Sequence, residues 1–177
     1  MADREALRDF QRRLTARLQA APTHGAQVHW LAVEAGGGHF LIPLAQAGEI
    51  FPAISAQPVP HTQPWFLGVA SLRGDLYGVS DLACLIRPNL AQSSRFPATG
   101  AEAQLVTLNP ALDAQCALRI DHLAGLRGLT AFKASAPAPE GSPGWFSSVY
   151  HDASDTPWQE LNLQSLSQQP RFLRIGA

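Results

Sequence analysis

Cysteine, lysine and methionine are nearly missing from this chain of 177 residues: it has two cysteines and one methionine, and Lys133 is its only lysine. Cys84 and Cys116 each sit in an apolar run with no metal-type neighbour, so they read as two small buried thiols. Charge is also scarce. Only 15% of residues are charged and the net charge is −1, so no long basic face is available and generic phosphate-backbone binding is disfavoured. No stretch approaches the roughly 18 apolar residues of a membrane span. The first residues also lack the apolar block of a signal peptide. The sequence therefore reads as cytoplasmic, with no direct membrane insertion.

Motifs for catalysis are missing too. His24, His29, His39, His61, His122 and His151 are scattered, with no H-x-x-x-H or C-x-x-C pair. There is no G-x-S-x-G elbow and no P-loop. Gly36-Gly37-Gly38 lacks the lysine and following helix of a phosphate cradle, and reads as a hairpin turn. Ser80-Asp81 with a distant histidine is the one arrangement that leaves a hydrolase open. The expectation is a chain with no catalytic residues, no cofactor and no metal.

What is present is β-forming sequence. Apolar residues are 46% of the chain, enough to build a core and to argue against wholesale disorder. Residues 3–20 form the one long helical pattern: Leu7, Phe10, Leu14 and Leu18 recur at three- and four-residue steps, and arginines fill the other face. Ala21-Pro22-Thr23-His24-Gly25 ends it. Its stripe either packs on its own domain or binds a partner. Strands follow at 28–33, 39–44, 48–51, 69–72 and 76–82, and a short helix or turn at 81–86. A polar, proline-broken loop covers 87–102. A second β set follows at 103–108, 115–120, 123–132, 145–150 and 157–163. Residues 133–144, rich in Pro, Gly, Ala and Ser, are predicted to lack regular structure. The pattern predicts a mainly β protein of small barrels rather than a β-α-β sheet. Between 69–72 and 76–82 lies Gly74-Asp75, a pair of the kind that closes a two-residue hairpin, with Gly74 supplying positive φ. Arg73 and Asp75 then reach water from an otherwise apolar hairpin.

Several of these pieces resemble the CheW-like adaptor family, and within it the PilI-type adaptors of pilus (twitching) chemosensory systems. "WLAVEAGGGHFLIPLAQAGEIF" (30–51) resembles the family's opening hairpin and its glutamate, here Glu49. "VPHTQPWFLGVASLRGDLYGVSDL" (59–82) resembles its Val-Pro, its Gly before a strand and its Arg-Gly hairpin ending in Asp-Leu. "LAGLRGLTAF" (123–132) and "PWQELNLQSLSQQPRFLRI" (157–175) resemble the PilI-type second half. The resemblance implies two intertwined, five-stranded SH3-like β-barrel subdomains with a core between them. The implied organisation is an N-terminal amphipathic helix and linker (1–25), followed by a CheW-like domain (26–175). That domain would comprise subdomain 1 at about 28–85, subdomain 2 at about 103–163 and a C-terminal clamp at 164–175.

The implied role is that of a non-enzymatic chemotaxis scaffold at receptor arrays near the inner membrane. It would couple the cytoplasmic tip of a methyl-accepting chemoreceptor to a CheA-type histidine kinase of a two-component system, for type IV pilus control. The family's receptor contact includes the hairpin arginine, here Arg73 beside Gly74, with Phe66, Leu67 and Val69 supplying apolar contact. Glu49 is the candidate partner of Arg73, either as an internal strut or as a group that aims the arginine. A small nucleic-acid-binding β-barrel and an unrecognised hydrolase are the alternatives. The first would need a basic groove with exposed aromatics, against which neutral charge and a single lysine speak.

Overall fold

Alternate residues of one strand can feed two different cores only if both faces of its sheet are covered. Strand β1 (Val28–Ala35) does this. Leu31, Val33 and Ala35 enter one buried cluster, and Trp30 and Ala32 enter another. β2 (Gly38–Pro43) repeats the division, with Phe40 and Ile42 on the first face and Leu41 on the second. The computed structural model describes residues 28–87 and 103–177 and shows what covers each face. The helix expected at 3–20 and nearly all of the loop expected at 87–102 lie outside the described residues.

After β1 and β2 come β3 (Ala47–Pro52), β4 (Phe66–Leu72), β5 (Asp75–Asp81) and the short helix α1 (Leu82–Ile86). Then follow β6 (Gln104–Leu108), β7 (Cys116–Ile120), β8 (His122–Gly128), β9 (Phe132–Pro137), β10 (Phe146–Asp152) and β11 (Pro157–Leu161). Helices α2 (Leu163–Ser167) and α3 (Pro170–Leu173) end the chain. One sheet has five strands in the order β3-β6-β7-β5-β4, and the other six in the order β8-β1-β2-β11-β10-β9. Segment 28–85 thus divides between the sheets: β1 and β2 join the larger, β3 to β5 the smaller. Segment 103–163 divides likewise, β6 and β7 going to the smaller sheet and β8 to β11 to the larger.

Five strands were expected in each barrel, and the larger sheet has six. Residues 123–132 read as one strand but break at a 3-10 turn, Leu129–Ala131, into β8 and β9. A second correction concerns 133–144. Its first part is β9, paired antiparallel with β10 in a register that sets Tyr150 opposite Ser135 and Ser148 opposite Pro137. β9 is an edge strand, so Pro137 withholds no N–H from a second neighbour.

Three cores result. Ala70, Leu72, Val79, Leu105 and Ala117 fill the five-stranded half. Trp30, Ala32, Leu41 and Trp158 fill the six-stranded half. The largest lies between the halves, where Leu31, Val33, Ile42 and Leu161 of one sheet meet Val106, Leu108, Leu118 and Ile120 of the other. Cys84 and Cys116 belong to this shared core. Burial pushes both thiols up to about 11, for Cys84 with help from the nearby Asp81 carboxylate. The chain crosses between halves after β2 and after β7, and side chains pin both crossings. Gln46 Oε1 accepts the Leu163 N–H at 2.6 Å, and Asp121 Oδ2 accepts the Gly36 N–H at 2.7 Å. The C-terminal segment folds back onto 61–65, with Phe172 stacked on Trp65 at 5.6 Å and the Ile175 carbonyl accepting the Gln63 N–H.

The five-stranded sheet closes through a β-bridge between Gln57 and Val69, whose N–H groups each donate to the other's carbonyl, at 2.7 and 2.9 Å. The close approach requires glycine next door. Gly68 has φ 132°, and a Cβ there would collide with the Gln57 carbonyl oxygen. Gly68→Ala is therefore expected to lower unfolding stability by about 2 kcal/mol or more, combining backbone strain with loss of the closure. Urea melts of the two proteins check this. An unchanged midpoint would mean that the closure is dispensable.

Candidate functional site

The β4–β5 hairpin presents its charges through a turn one residue earlier than the sequence suggested. Leu72 pairs with Asp75, so the two-residue loop is Arg73-Gly74 and not Gly74-Asp75. Both loop residues have positive φ, 50° at Arg73 and 96° at Gly74, as a type I′ hairpin turn demands. A Cβ at Gly74 would meet nothing within 4 Å, so its backbone angle alone demands glycine. Arg73 occupies the left-handed region that side chains other than glycine seldom adopt, a conformation that costs on the order of 1 kcal/mol.

Contacts from β3 hold the side chain in place. Arg73 Nη1 lies 2.9 Å from Glu49 Oε2, and its guanidinium sits 5.7 Å from the centre of the Phe51 ring. The pair remains largely in water, with side-chain exposures of 73% and 54%, so the ion pair adds little to stability. Glu49 is aimed by a bulge in β3, where the register with β6 shifts between Ala47 and Ile50. Thr107, buried in β6, occupies the bulge. Its hydroxyl accepts the Glu49 N–H at 2.8 Å and donates to the Glu49 carbonyl at 3.2 Å. A Cβ at Gly48 would collide with that same hydroxyl oxygen, which is why a glycine precedes Glu49. A rigid turn and a rigid bulge thus bring Arg73 and Glu49 together.

The expected apolar contacts are less accessible than the arginine. Phe66 is half-buried against the shared core and edge-on to Trp65, and Leu67 is half-buried against the five-stranded core. Val69 is half-buried, and its backbone carries the barrel closure. The exposed apolar residues nearest in sequence to the charged pair are Leu76, next to Asp75, and Ile50, next to Glu49, at 60% and 42% exposure. Sequence reasoning missed both, because outward positions of a strand look like core when the neighbouring residues are apolar. A cavity of about 290 Å³ lies elsewhere, lined by Leu85, Ile86, Trp145, Leu166 and Phe172 among others, and holds none of the hairpin residues.

Behind the hairpin lies a second ion pair of opposite character. Arg119 Nη1 lies 2.7 Å from Asp81 Oδ2, with side-chain exposures of 12% and 5%. The other carboxylate oxygen of Asp81 accepts the Cys84 N–H at 2.9 Å and caps α1. Asp81 and Arg119 face each other in the parallel pairing of β5 with β7. One carboxylate therefore ties the end of the hairpin to the next strand and to the helix. A hydrolytic use of Ser80-Asp81 is disfavoured by this geometry: Asp81 is committed to Arg119, and the buried Ser80 hydroxyl lies 3.6 Å from Cys116 Sγ. Among the described residues, no three His, Cys, Asp or Glu are grouped to hold a metal ion.

The two ion pairs should respond differently to truncation. Asp81→Ala leaves the Arg119 charge buried and unpaired, with an expected cost of about 3–5 kcal/mol. Glu49→Ala removes an exposed partner and should cost less than about 1 kcal/mol. Thermal melting of both variants checks the order. Equal losses would mean that the exposed pair is a folding strut after all.

Known proteins resemble this chain in sequence and in fold. Residues 29–171 match the family model described as the CheW-like domain. The chain is 25% identical over 168 residues to the protein PilI of Pseudomonas aeruginosa, an alignment covering 93% of this chain and 89% of that one. Its fold is similar to that of the scaffolding protein TtCheW from Thermoanaerobacter tengcongensis. That superposition has a TM-score of 0.62 at 12% identity and covers 81% of this chain and 94% of the other. With well over half its length matched, this chain belongs to the CheW-like domain family.

Proposed function

We propose that this protein is a non-enzymatic chemosensory adaptor that couples a methyl-accepting chemoreceptor to a CheA-type histidine kinase in type IV pilus control. Family membership supports an adaptor role, and the similarity to PilI along nearly the whole chain favours the pilus branch. In this reading the protein acts in the cytoplasm, at receptor arrays. Among the described residues no helix is long and apolar enough to cross a membrane.

The observation that carries the receptor assignment is the exposed Arg73 on a rigid turn. A guanidinium that is 73% exposed, yet fixed by Glu49 and Phe51, offers free donors at a defined place. Little side-chain entropy is lost when such a group docks. Backbone carbonyls or carboxylates at the tip of a receptor helical hairpin are suitable acceptors. Leu76 and Ile50, exposed on β5 and β3, would supply apolar area, and the half-buried Phe66, Leu67 and Val69 would add to it. Gly74 keeps the turn.

Arg73→Ala is expected to weaken binding of a receptor signalling fragment by about 1–3 kcal/mol, the value of a lost charge-assisted contact. Its melting temperature should stay close to that of the parent. Calorimetric titration with the fragment and thermal melting of the same sample check both. A variant that melts early but binds normally would make Arg73 an internal strut and remove the receptor assignment.

A further inference from the structure

The face of the larger sheet that builds the shared core continues past the point where the smaller half covers it. In the register of β1 with β8, Leu126 lies opposite Leu31, so both side chains are on the same face. Leu31 is 3% exposed, while Leu126 is 58% exposed. On the other side of β1, Ile42 lies opposite Leu31 and is fully buried. Two residues on, Leu44 donates its N–H to the His29 carbonyl and is 37% exposed. Leu129, in the turn just after β8, is 58% exposed. Three leucines on strands or turns flanking β1 are thus left open at one end of the sheet.

That end is where the chain enters the fold. Val28 is the first residue of β1 and pairs with Gly128, between Leu126 and Leu129 in sequence. The preceding 27 residues carry the apolar stripe Leu7, Phe10, Leu14 and Leu18. Residues 21–27 separate stripe and sheet, and seven residues reach at most about 25 Å, which tethers the Leu18 end of the stripe to within about that distance of Val28. Pro22 and Gly25 are suited to reversing the chain there.

We propose that the apolar stripe of residues 3–20 docks within the same molecule on Leu44, Leu126 and Leu129 and extends the shared core over the open end of the six-stranded sheet. The other exposed leucines belong to elements that do not flank β1: Leu76 is in the five-stranded sheet and Leu173 in the last helix.

Disulfide trapping in the full chain tests the docking. The native thiols are buried and held largely protonated, so they compete poorly with introduced ones. Under mild oxidation the pair Leu14→Cys with Leu126→Cys should close within the monomer, and at a rate independent of protein concentration. The control pair Leu14→Cys with Leu76→Cys should not. Equal trapping of both pairs, or of neither, would overturn the proposal. Trapping that appears only in dimers would assign the face to a second copy.

A readout without cysteines guards against misfolded variants. In leucine-methyl NMR spectra, the double change Leu14→Asp and Leu18→Asp should shift the methyl signals of Leu44, Leu126 and Leu129 but not those of Leu76 and Leu173. Unmoved signals would contradict the docking. Signals that move only on adding a receptor signalling fragment would give the face to that partner instead.

Discussion

The shared core between the two sheets is the constraint on which the rest of the structure depends. Leu118 and Ile120 in one sheet and Leu31 and Ile42 in the other are buried because the opposite half covers them. Neither half could present such a face to water alone, since a contiguous apolar face of that size promotes association. The chain topology follows the same logic. β1 and β2 open the larger sheet, the chain then builds the whole smaller sheet, and β8 to β11 return to complete the larger. Two parallel pairings, β5 with β7 and β2 with β11, mark where distant segments are brought together.

On that frame the molecule carries two ion pairs of opposite burial. Asp81 and Arg119 make a strong pair because they are desolvated and positioned in register, and removing one partner leaves a bare charge. Arg73 and Glu49 make a pair of similar length that is worth little for stability because water surrounds it. What the outer pair provides is direction. The turn holds Arg73, the bulge and Thr107 hold Glu49, and the guanidinium stays 73% exposed. The proposed adaptor function would need this combination: a surface fixed before binding, made of groups whose loss does not unfold the protein.

Much of this was legible in the sequence, because local rules govern it. Alternation in 28–33 and 39–44, with glycines between, marked the first hairpin. The Arg-Gly pair marked a turn, and Glu49 was picked out as the partner of Arg73 through the family resemblance. The turn slipped by one residue because Arg73 adopts positive φ, which a rule built on glycine does not anticipate. The strand in 133–144 was missed because small residues and prolines carry no pattern, and β9 owes its pairing to β10 rather than to its own sequence. The break in 123–132 and the roles of Thr107 and Arg119 were also out of reach. Thr107 and Arg119 each depend on a neighbour more than 30 residues away, although a charge inside the apolar run "QCALRI" does signal a buried partner.

The most direct test of the central claim is native-state hydrogen exchange on the parent and on Leu118→Ala. Leu118 belongs to the five-stranded sheet and is fully buried in the shared core. Its truncation should cost about 2–5 kcal/mol through the cavity it leaves. If the shared core joins the halves into one cooperative unit, amides of β2 in one sheet and β6 in the other should lose the same opening free energy. A loss confined to β6 and its neighbours, with β2 unchanged, would show that the halves are stable independently and would contradict the account.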